Sequence, residues 1–405
     1  MKFDSSVNNK NSYKTTIAIV GLGYVGLTLQ TVMAEVGFNT IGIDTDEKLV
    51  KQIKRGKPHF HEIGLIEMMH QVSKQDNAPQ FFTSLKNVSA EIYIITVGTP
   101  IIRPSLEPNL EHVKKAAFQV GSVLKKGDLV ILRSTVPVGT TRDIVLDILQ
   151  KTSNLNVTVD FFLAFCPERT IEGKALRELK ELPQIIGGID EKSTTISSNI
   201  FSRITQTIID LGSIEAAEML KIMDNTYRDV MFAYANQVGM VCDALNIDMG
   251  SIVRAANSGY NRNNIPIRSP GVGGACLSKD PYIMANVCEK AGVDPIIFKN
   301  GRIVNEGMPS YVANKLFNKL YQTSKVKKKK IIMILGFAFK GKPETSDMRD
   351  SPTISLVKNL NSRNVEIWGH DPLVSKKEIR NLGVKFVSVE QGFSKADGVL
   401  IMINH

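Results

Sequence analysis

Cysteine is scarce in this chain: Cys166, Cys242, Cys276 and Cys288 are the whole supply in 405 residues. No two form a CxxC pair, which excludes a disulfide framework and points to a reducing, cytoplasmic compartment. No apolar run reaches the ~18 residues that a membrane span requires. The opening stretch MKFDSSVNNKNSYK lacks the apolar centre of a secretory signal and reads as a frayed end. Low hydrophobicity is not among the absences. With 43% hydrophobic and 22% charged residues, disorder as the main state is excluded. The length predicts two or three domains.

The formal charge of +10 suggests an anionic partner. Yet the charge is scattered, and its one dense run, Lys325 and Lys327 to Lys330, reads as a solvated lead-in to a strand. Without interleaved aromatics or a recognised module, nucleic acid is not the expected partner, and neither is a membrane. Small phosphorylated ligands use such charge equally well.

The order of apolar runs predicts an α/β chain. Ile17–Val20 is a short β-branched run, and it leads into the loop Gly21-Leu-Gly-Tyr-Val-Gly26. A helical segment, Leu27 to Val36, follows and stops at Gly37. A second strand, Thr40 to Ile43, ends at Asp44. This is the opening of a doubly wound Rossmann-type sheet. Further strands are expected at 91–97, 129–132 and 160–165, and the alternation continues to about residue 212. Residues 215 to about 245 contain no Pro and only Gly239, which predicts one long helix. A glycine-dense loop at 269–276 comes later. After the lysines the rhythm restarts with strands at 331–335, 365–368 and 396–403 and a helix over 354–360. ADGVLIMI echoes the earlier AEIYIITV. The predicted organisation is an N-terminal Rossmann-type domain (1–212), a central long-helix region (213–312) and a C-terminal Rossmann-like domain (313–405). The chain stops right after its last strand, so the C-terminal domain is expected to be truncated.

In the first loop, Gly21 suits the tight turn, Gly23 the approach of a pyrophosphate and Gly26 the packing of helix on strand. Tyr24 and Val25 complete the dinucleotide contact, with helix N–H groups facing the phosphates. Asp44, 23 residues beyond Gly21, would take both ribose hydroxyls and repel a 2′-phosphate, which favours NAD over NADP.

Cys276 lies in the second glycine-rich loop, where Gly273 lets backbone approach a ligand. A thiol there is either a nucleophile or a small buried hydrophobe. Asp280 before Pro281 also reads as a helix N-cap. Lys221 and Asn225, four apart, share a helix face. A cation there would lower a thiol pKa and stabilise an oxyanion, whereas each residue taken alone reads as an exposed helix position.

Together these segments resemble the UDP-glucose/GDP-mannose dehydrogenase family. The matching runs are IAIVGLGYVGL, VGTP, STVPVGTT, CPERTIEGKAL, AEMLKIMDNTYRD, GVGGACLSKDP and GFAFKGKPETSDMRDS, in the family's order. The resemblance implies an NAD domain, a central helical region that forms a homodimer, and a domain that helps bind a UDP-sugar. It implies a four-electron oxidation of a sugar C6 alcohol to a carboxylate, with Cys276 carrying a thiohemiacetal and then a thioester. Lys221 and Asn225 match the oxyanion pair, and Asp280 the acid that positions water. Thr135 matches a hydroxyl shared by water and cofactor, and Thr99 a cofactor contact. Glu168 and Glu172 match two acids of the substrate segment, with Glu172 the proton carrier. Lys340, Arg349 and Arg262 match basic residues that contact the nucleotide sugar. GFAFK lacks GxGxxG, so no second dinucleotide is expected.

CPERTIEGKALRELKELPQIIGG and GYNRNNIPIRSPGVGGACLSKDP resemble the subgroup acting on UDP-N-acetylhexosamines. UDP-N-acetylmannosamine comes first, before UDP-N-acetylglucosamine and UDP-glucose, with products feeding surface polysaccharide synthesis. Two rivals remain. A two-electron hydroxyacid or 6-phosphogluconate dehydrogenase would not need Cys276, and a catalytically inactive nucleotide-binding protein would need none of the chemistry. The HFHEIG run holds His59, His61 and Glu62 at a spacing that suits no helical zinc motif. It reads as a polar loop, and no metal is expected.

Overall fold

The computed structural model describes residues 15–322 and 329–405. Residues 1–14 and the greater part of the lysine run lie outside the described residues. The chain divides into two units, Met1–Met223 and Asp224–His405.

In the first unit eight strands form one sheet. From edge to edge they are Ile208–Asp210, Gln184–Gly188, Phe162–Phe165, Leu129–Leu132, Ile92–Ile95, Thr16–Val20, Asn39–Ile43 and Gln80–Phe82. Neighbours pair in parallel except Phe162–Phe165 with Gln184–Gly188. Alternate residues feed opposite cores. Ile17, Ile19, Ile92, Ile94, Leu129 and Ile131 pack to one side. Ala18, Val20, Tyr93, Ile95, Val130 and Leu132 pack to the other. Both faces are covered, so these strands read as unbroken apolar runs in the sequence. The edge strands Gln80–Phe82 and Ile208–Asp210 are short and part-exposed, and they carry no such signal. Thr16–Val20 pairs with Asn39–Ile43 on one side and Ile92–Ile95 on the other. The strand order reverses there, and such a reversal opens a crevice at the strands' carboxyl ends.

The long helix spans Ile214–Ala244. Its one glycine has a packing cause: a methyl on Gly239 would meet Arg268 Cδ at 2.6 Å. The second unit continues with helices Met249–Asn257, Asp280–Lys290 and Ile296–Gln322. A parallel sheet follows in the order Lys385–Phe386, Val365–His370, Lys330–Leu335, Gly398–Ile401. Helix Pro352–Asn361 starts two residues earlier than its apolar pattern suggests, because the Ser351 hydroxyl caps it from outside and Pro352 fits the first turn.

The two sheets repeat one device with different outcomes. Asp44 closes the second strand of the first sheet. Its Oδ2 accepts from Leu22 N at 2.8 Å and its Oδ1 from Asp46 N at 3.0 Å, and it stays part-exposed. Asp371 closes Val365–His370 in the second sheet, but it is buried. It accepts from the amides of Phe337, Ala338, Leu373 and Val374, with His405 Nε2 at 3.2 Å. Asp371 is thus consumed in holding its own loops, whereas Asp44 keeps room for an outside donor.

Candidate active site

The first loop divides its glycines by function. Gly21 has φ +99°, a left-handed conformation that completes the tight turn. A methyl on Gly26 would lie 1.8 Å from Gly21 O, so helix and turn touch only because it is absent. A methyl on Gly23 would meet nothing within 4 Å. That open face, at the start of helix Tyr24–Glu35 and beside Asp44, fits the pyrophosphate and ribose of a dinucleotide. The Tyr24 hydroxyl donates to Glu62.

Thr99 is buried, and its hydroxyl donates to the Thr135 carbonyl at 2.6 Å, joining two of the residues expected at the cofactor. Beside them the Ser134 hydroxyl donates to Val97 O at 2.6 Å. Glu168 is buried and fully engaged. One oxygen takes Arg133 Nε and a second Arg133 nitrogen at 2.7 Å, and the other takes the amides of Arg169 and Thr170, each at 2.7 Å. Burial pushes its carboxyl up, but the Arg133 guanidinium and the Thr170 amide outweigh burial and hold it below the ordinary value. Lys221 adds to the same field. Four donors fill the four acceptor directions of a carboxylate. Glu168 therefore acts here on the fold of its own loop, and the neighbouring Glu172 is part-exposed.

Lys221 and Asn225 are both buried, 8% and 6% exposed, against the expectation of exposed helix positions. They lie one turn apart on Ile214–Ala244. In the second unit Asn225 Nδ2 donates to Asp280 Oδ2 at 2.5 Å, and Lys279 Nζ donates to Asp280 Oδ1 at 2.5 Å. The N-cap reading of Asp280 is corrected by this geometry. The helix begins at Asp280 itself, and its fully buried carboxylate caps nothing.

The Cys276 thiol is exposed, so the buried-hydrophobe alternative does not describe it. Its carbonyl accepts from Asp280 N at 2.9 Å, which ties the turn to the helix start. Ser278 Oγ lies 2.9 Å from Asp350 Oδ2. Gly273 allows a contact no other residue would: a methyl there would sit 2.0 Å from Asp350 O. Lys340 is part-exposed with its ammonium over the Phe339 ring. Arg349 is exposed and paired with Asp347 at 2.5 Å, and the exposed Arg262 lies 4.5 Å over the Tyr260 ring. These two contacts are local and join neither residue to Asp280 or Cys276.

Two buried groups, Arg133 and Glu218, escaped the sequence reading, and a third, Glu62, reads there as part of a polar loop. Arg133 also holds Cys166 O and Gln184 Oε1. Glu218 accepts from Gly139 N at 2.6 Å and from Thr141 N and Oγ1 at 2.8 and 2.6 Å. Glu62 is 5% exposed, so HFHEIG is not uniformly a polar loop. The available signal was a charge set among apolar neighbours, as in ILRST and AAEML. Among the described residues no cluster of His, Cys, Asp and Glu is arranged to hold a metal. No described helix is long and apolar enough to cross a membrane.

Three consecutive segments match the UDP-glucose/GDP-mannose dehydrogenase family: its NAD binding domain over 15–205, its central domain over 215–307 and its UDP binding domain over 333–405. The UDP-N-acetyl-D-mannosamine dehydrogenase of Campylobacter jejuni is 33% identical over 399 residues, covering 96% of this chain and 95% of its own. The solved UDP-D-ManNAc dehydrogenase of Pyrococcus horikoshii superposes with a TM-score of 0.88 at 30% identity, covering 96% of this chain and 90% of its own. A UDP-glucose dehydrogenase from Pyrobaculum islandicum also reaches 0.88, at 27% identity, with 97% and 91% covered.

Proposed function

The chain belongs to the UDP-glucose/GDP-mannose dehydrogenase family, and from that premise we propose that it oxidises C6 of UDP-N-acetylmannosamine to the carboxylate through Cys276. Dependence on NAD and a UDP-sugar substrate belong to the family assignment. The four-electron course, the sulfur intermediate and the sugar are our reading. One observation carries it: an exposed thiol on a turn whose carbonyl is tied to Asp280, the buried acid that holds Asn225.

Bound NAD supplies the hydride acceptor for both oxidations. Lys221 and Asn225 stabilise the oxygen at C6 as it gains negative charge. Glu172 moves the proton of the C6 hydroxyl. The Cys276 sulfur adds to the aldehyde carbon, and the resulting thiohemiacetal keeps the carbon in place where a free aldehyde would hydrate and escape. Oxidation of that adduct leaves a thioester. Water positioned by Asp280 attacks its carbonyl, the C–S bond breaks, and the thiol and carboxylate are released, while Thr135 serves the cofactor. Lys340, Arg349, Arg262 and Gly273 serve the nucleotide sugar, and Glu168 serves it indirectly by shaping the Glu172 segment. The product suits the synthesis of an acidic polysaccharide.

The long helix supports a homodimer. Met223, Tyr227, Tyr234, Val241 and Leu245 recur at four- and seven-residue steps and are all exposed, a seam that a second copy would cover.

The test is NADH release against a panel of UDP- and GDP-sugars. The expected result is two NADH per UDP-N-acetylmannosamine, with slower turnover of UDP-N-acetylglucosamine and UDP-glucose. One NADH per sugar would instead identify a two-electron enzyme, and no turnover of any sugar an inactive binding protein.

A further inference from the structure

HFHEIG is a run singled out in the sequence that the reaction leaves unused, and its acid is the best buried of its polar groups. Glu62 comes from a loop but points inward. Its Oε2 accepts the Tyr24 hydroxyl and, at 2.6 Å, the amide of Gly173. Its Oε1 accepts the amide of Ala175 at 2.9 Å. The Gly173 amide also lies 3.1 Å from the Tyr24 oxygen, closing a three-way contact. Phe60, two residues before Glu62, packs on the Tyr24 ring at 4.7 Å. Burial, then the hydrogen bond and charge of Glu62, push the Tyr24 phenol far above its ordinary value, so it keeps its proton and donates.

The two ends of this contact are the dinucleotide loop and the segment that carries Glu172. Gly173 follows Glu172 directly and has φ +88°, a left-handed turn that presents its amide to Glu62. On the other side of Glu172, the Ile171 amide donates to Glu178 Oε2 at 2.8 Å. Both backbone neighbours of Glu172 are thus fixed by carboxylates, and only Glu62 also grips the cofactor loop. Glu172 is near enough to act electrostatically on Tyr24.

We propose that Glu62 is a positioning residue for the oxidation: it latches Tyr24 of the dinucleotide loop to the Gly173–Ala175 backbone, so that the seat of the cofactor and the place of Glu172 are set together. This rests on the reading of Glu172 as the proton carrier. A group placed within hydrogen-bond reach of a reacting proton loses most of its value when displaced by about 1 Å, on the order of 10²-fold in rate. The latch therefore acts on turnover rather than on binding.

The experiment measures kcat, KM for UDP-N-acetylmannosamine and the equilibrium affinity for NAD in Glu62→Gln, Tyr24→Phe, the double variant and Glu172→Gln. Glu62→Gln is expected to lower kcat by about 10²-fold, with sugar KM and NAD affinity within about threefold. Tyr24→Phe removes one bond without stranding a charge. It is expected to lower kcat several-fold with NAD affinity unchanged, and the double variant to fall short of the product of the two losses. If Glu62→Gln does not fold, the Tyr24→Phe result decides alone. Wild-type kcat in the folded variants overturns the latch, as does a loss seen only as weaker NAD binding. Wild-type turnover in Glu172→Gln overturns the assignment of Glu172 and the latch with it. A slow Glu172→Gln beside a fast Glu62→Gln overturns the latch alone.

Discussion

Asn225 donates its side-chain amide to Asp280 at 2.5 Å, and both residues are buried. A carboxylate at 225 would therefore face a second carboxylate out of water. Like charges so placed cannot both ionise, and one pKa rises. In Asn225→Asp the folded state holds a proton that the unfolded state releases as pH climbs. The added stability loss should be small at pH 5 and larger at pH 8. Denaturant midpoints of this variant and the parent at the two pH values check it, and an equal loss at both would contradict it.

Cys276 is exposed, whereas Cys166 and Cys242 are buried, and burial pushes the Cys166 thiol up to about 12. Thiolate content and access govern alkylation. Iodoacetamide should label Cys276 well before Cys166 and Cys242, with turnover falling in step and a nucleotide sugar protecting both. Peptide mapping by mass spectrometry gives the order. Cys276→Ser should lose two-NADH turnover, and retention of it would remove the thioester route.

The acceptor contacts of Asp44 refine its part in cofactor choice. Its carboxylate holds Leu22 N of the glycine loop while staying part-exposed. Asp44→Ala should lower the preference for NAD over NADP, and it should do so mainly by raising KM for NAD, since the loop loses its own anchor. A drop in preference driven entirely by better NADP binding would show that repulsion alone set it.

The fold and the chemistry were legible to different degrees for one physical reason. Strands such as Leu129–Leu132 and the helix Ile214–Ala244 are buried on both faces or long and unbroken, so composition alone exposes them. The roles of Gly21 and Gly26 follow from steric rules and reappear in the φ of Gly21 and the contacts of Gly26. Taken alone, Lys221 and Asn225 read as exposed helix positions and Asp280 as an N-cap, because a polar residue on a helix looks exposed until its partner, 55 residues away for Asn225, is placed beside it. Arg133 and Glu218 were not seen and Glu62 reads as a loop residue, since each acts by holding distant backbone or side-chain groups that no local pattern reveals.

The exposed seam on the long helix makes a quaternary prediction. Tyr234 and Val241 lie on it one heptad apart, 55% and 50% exposed. A charge in the middle of an apolar interface is left unpaired when the copies meet. Tyr234→Glu and Val241→Glu should each shift the protein from dimer to monomer at micromolar concentration, with the monomer's circular dichroism unchanged. Sedimentation equilibrium reads this directly, and a wild-type monomer would remove the seam as an interface.

Glu218 links stability to pH with a definite sign. It is fully buried on Ile214–Ala244 and accepts three donors from the Gly139–Thr141 turn. Burial nevertheless prevails over those donors and raises its carboxyl to about 7, with Glu215 acting in the same sense. The folded state therefore binds this proton more tightly than the unfolded chain, whose carboxyl titrates near the ordinary 4.5. The contribution is fully present below about 4.5 and is lost as pH rises through about 7. The difference between those two values corresponds to a span on the order of 3 kcal/mol. Glu218→Gln cannot titrate, so its stability should vary less between pH 5 and 8 than the parent's, whatever its stability at either end. Denaturant titrations across that window compare the slopes. Parallel curves would mean that the Gly139–Thr141 amides keep Glu218 ionised throughout, and that the turn bearing Thr140 and Thr141 is held by a charge at every working pH.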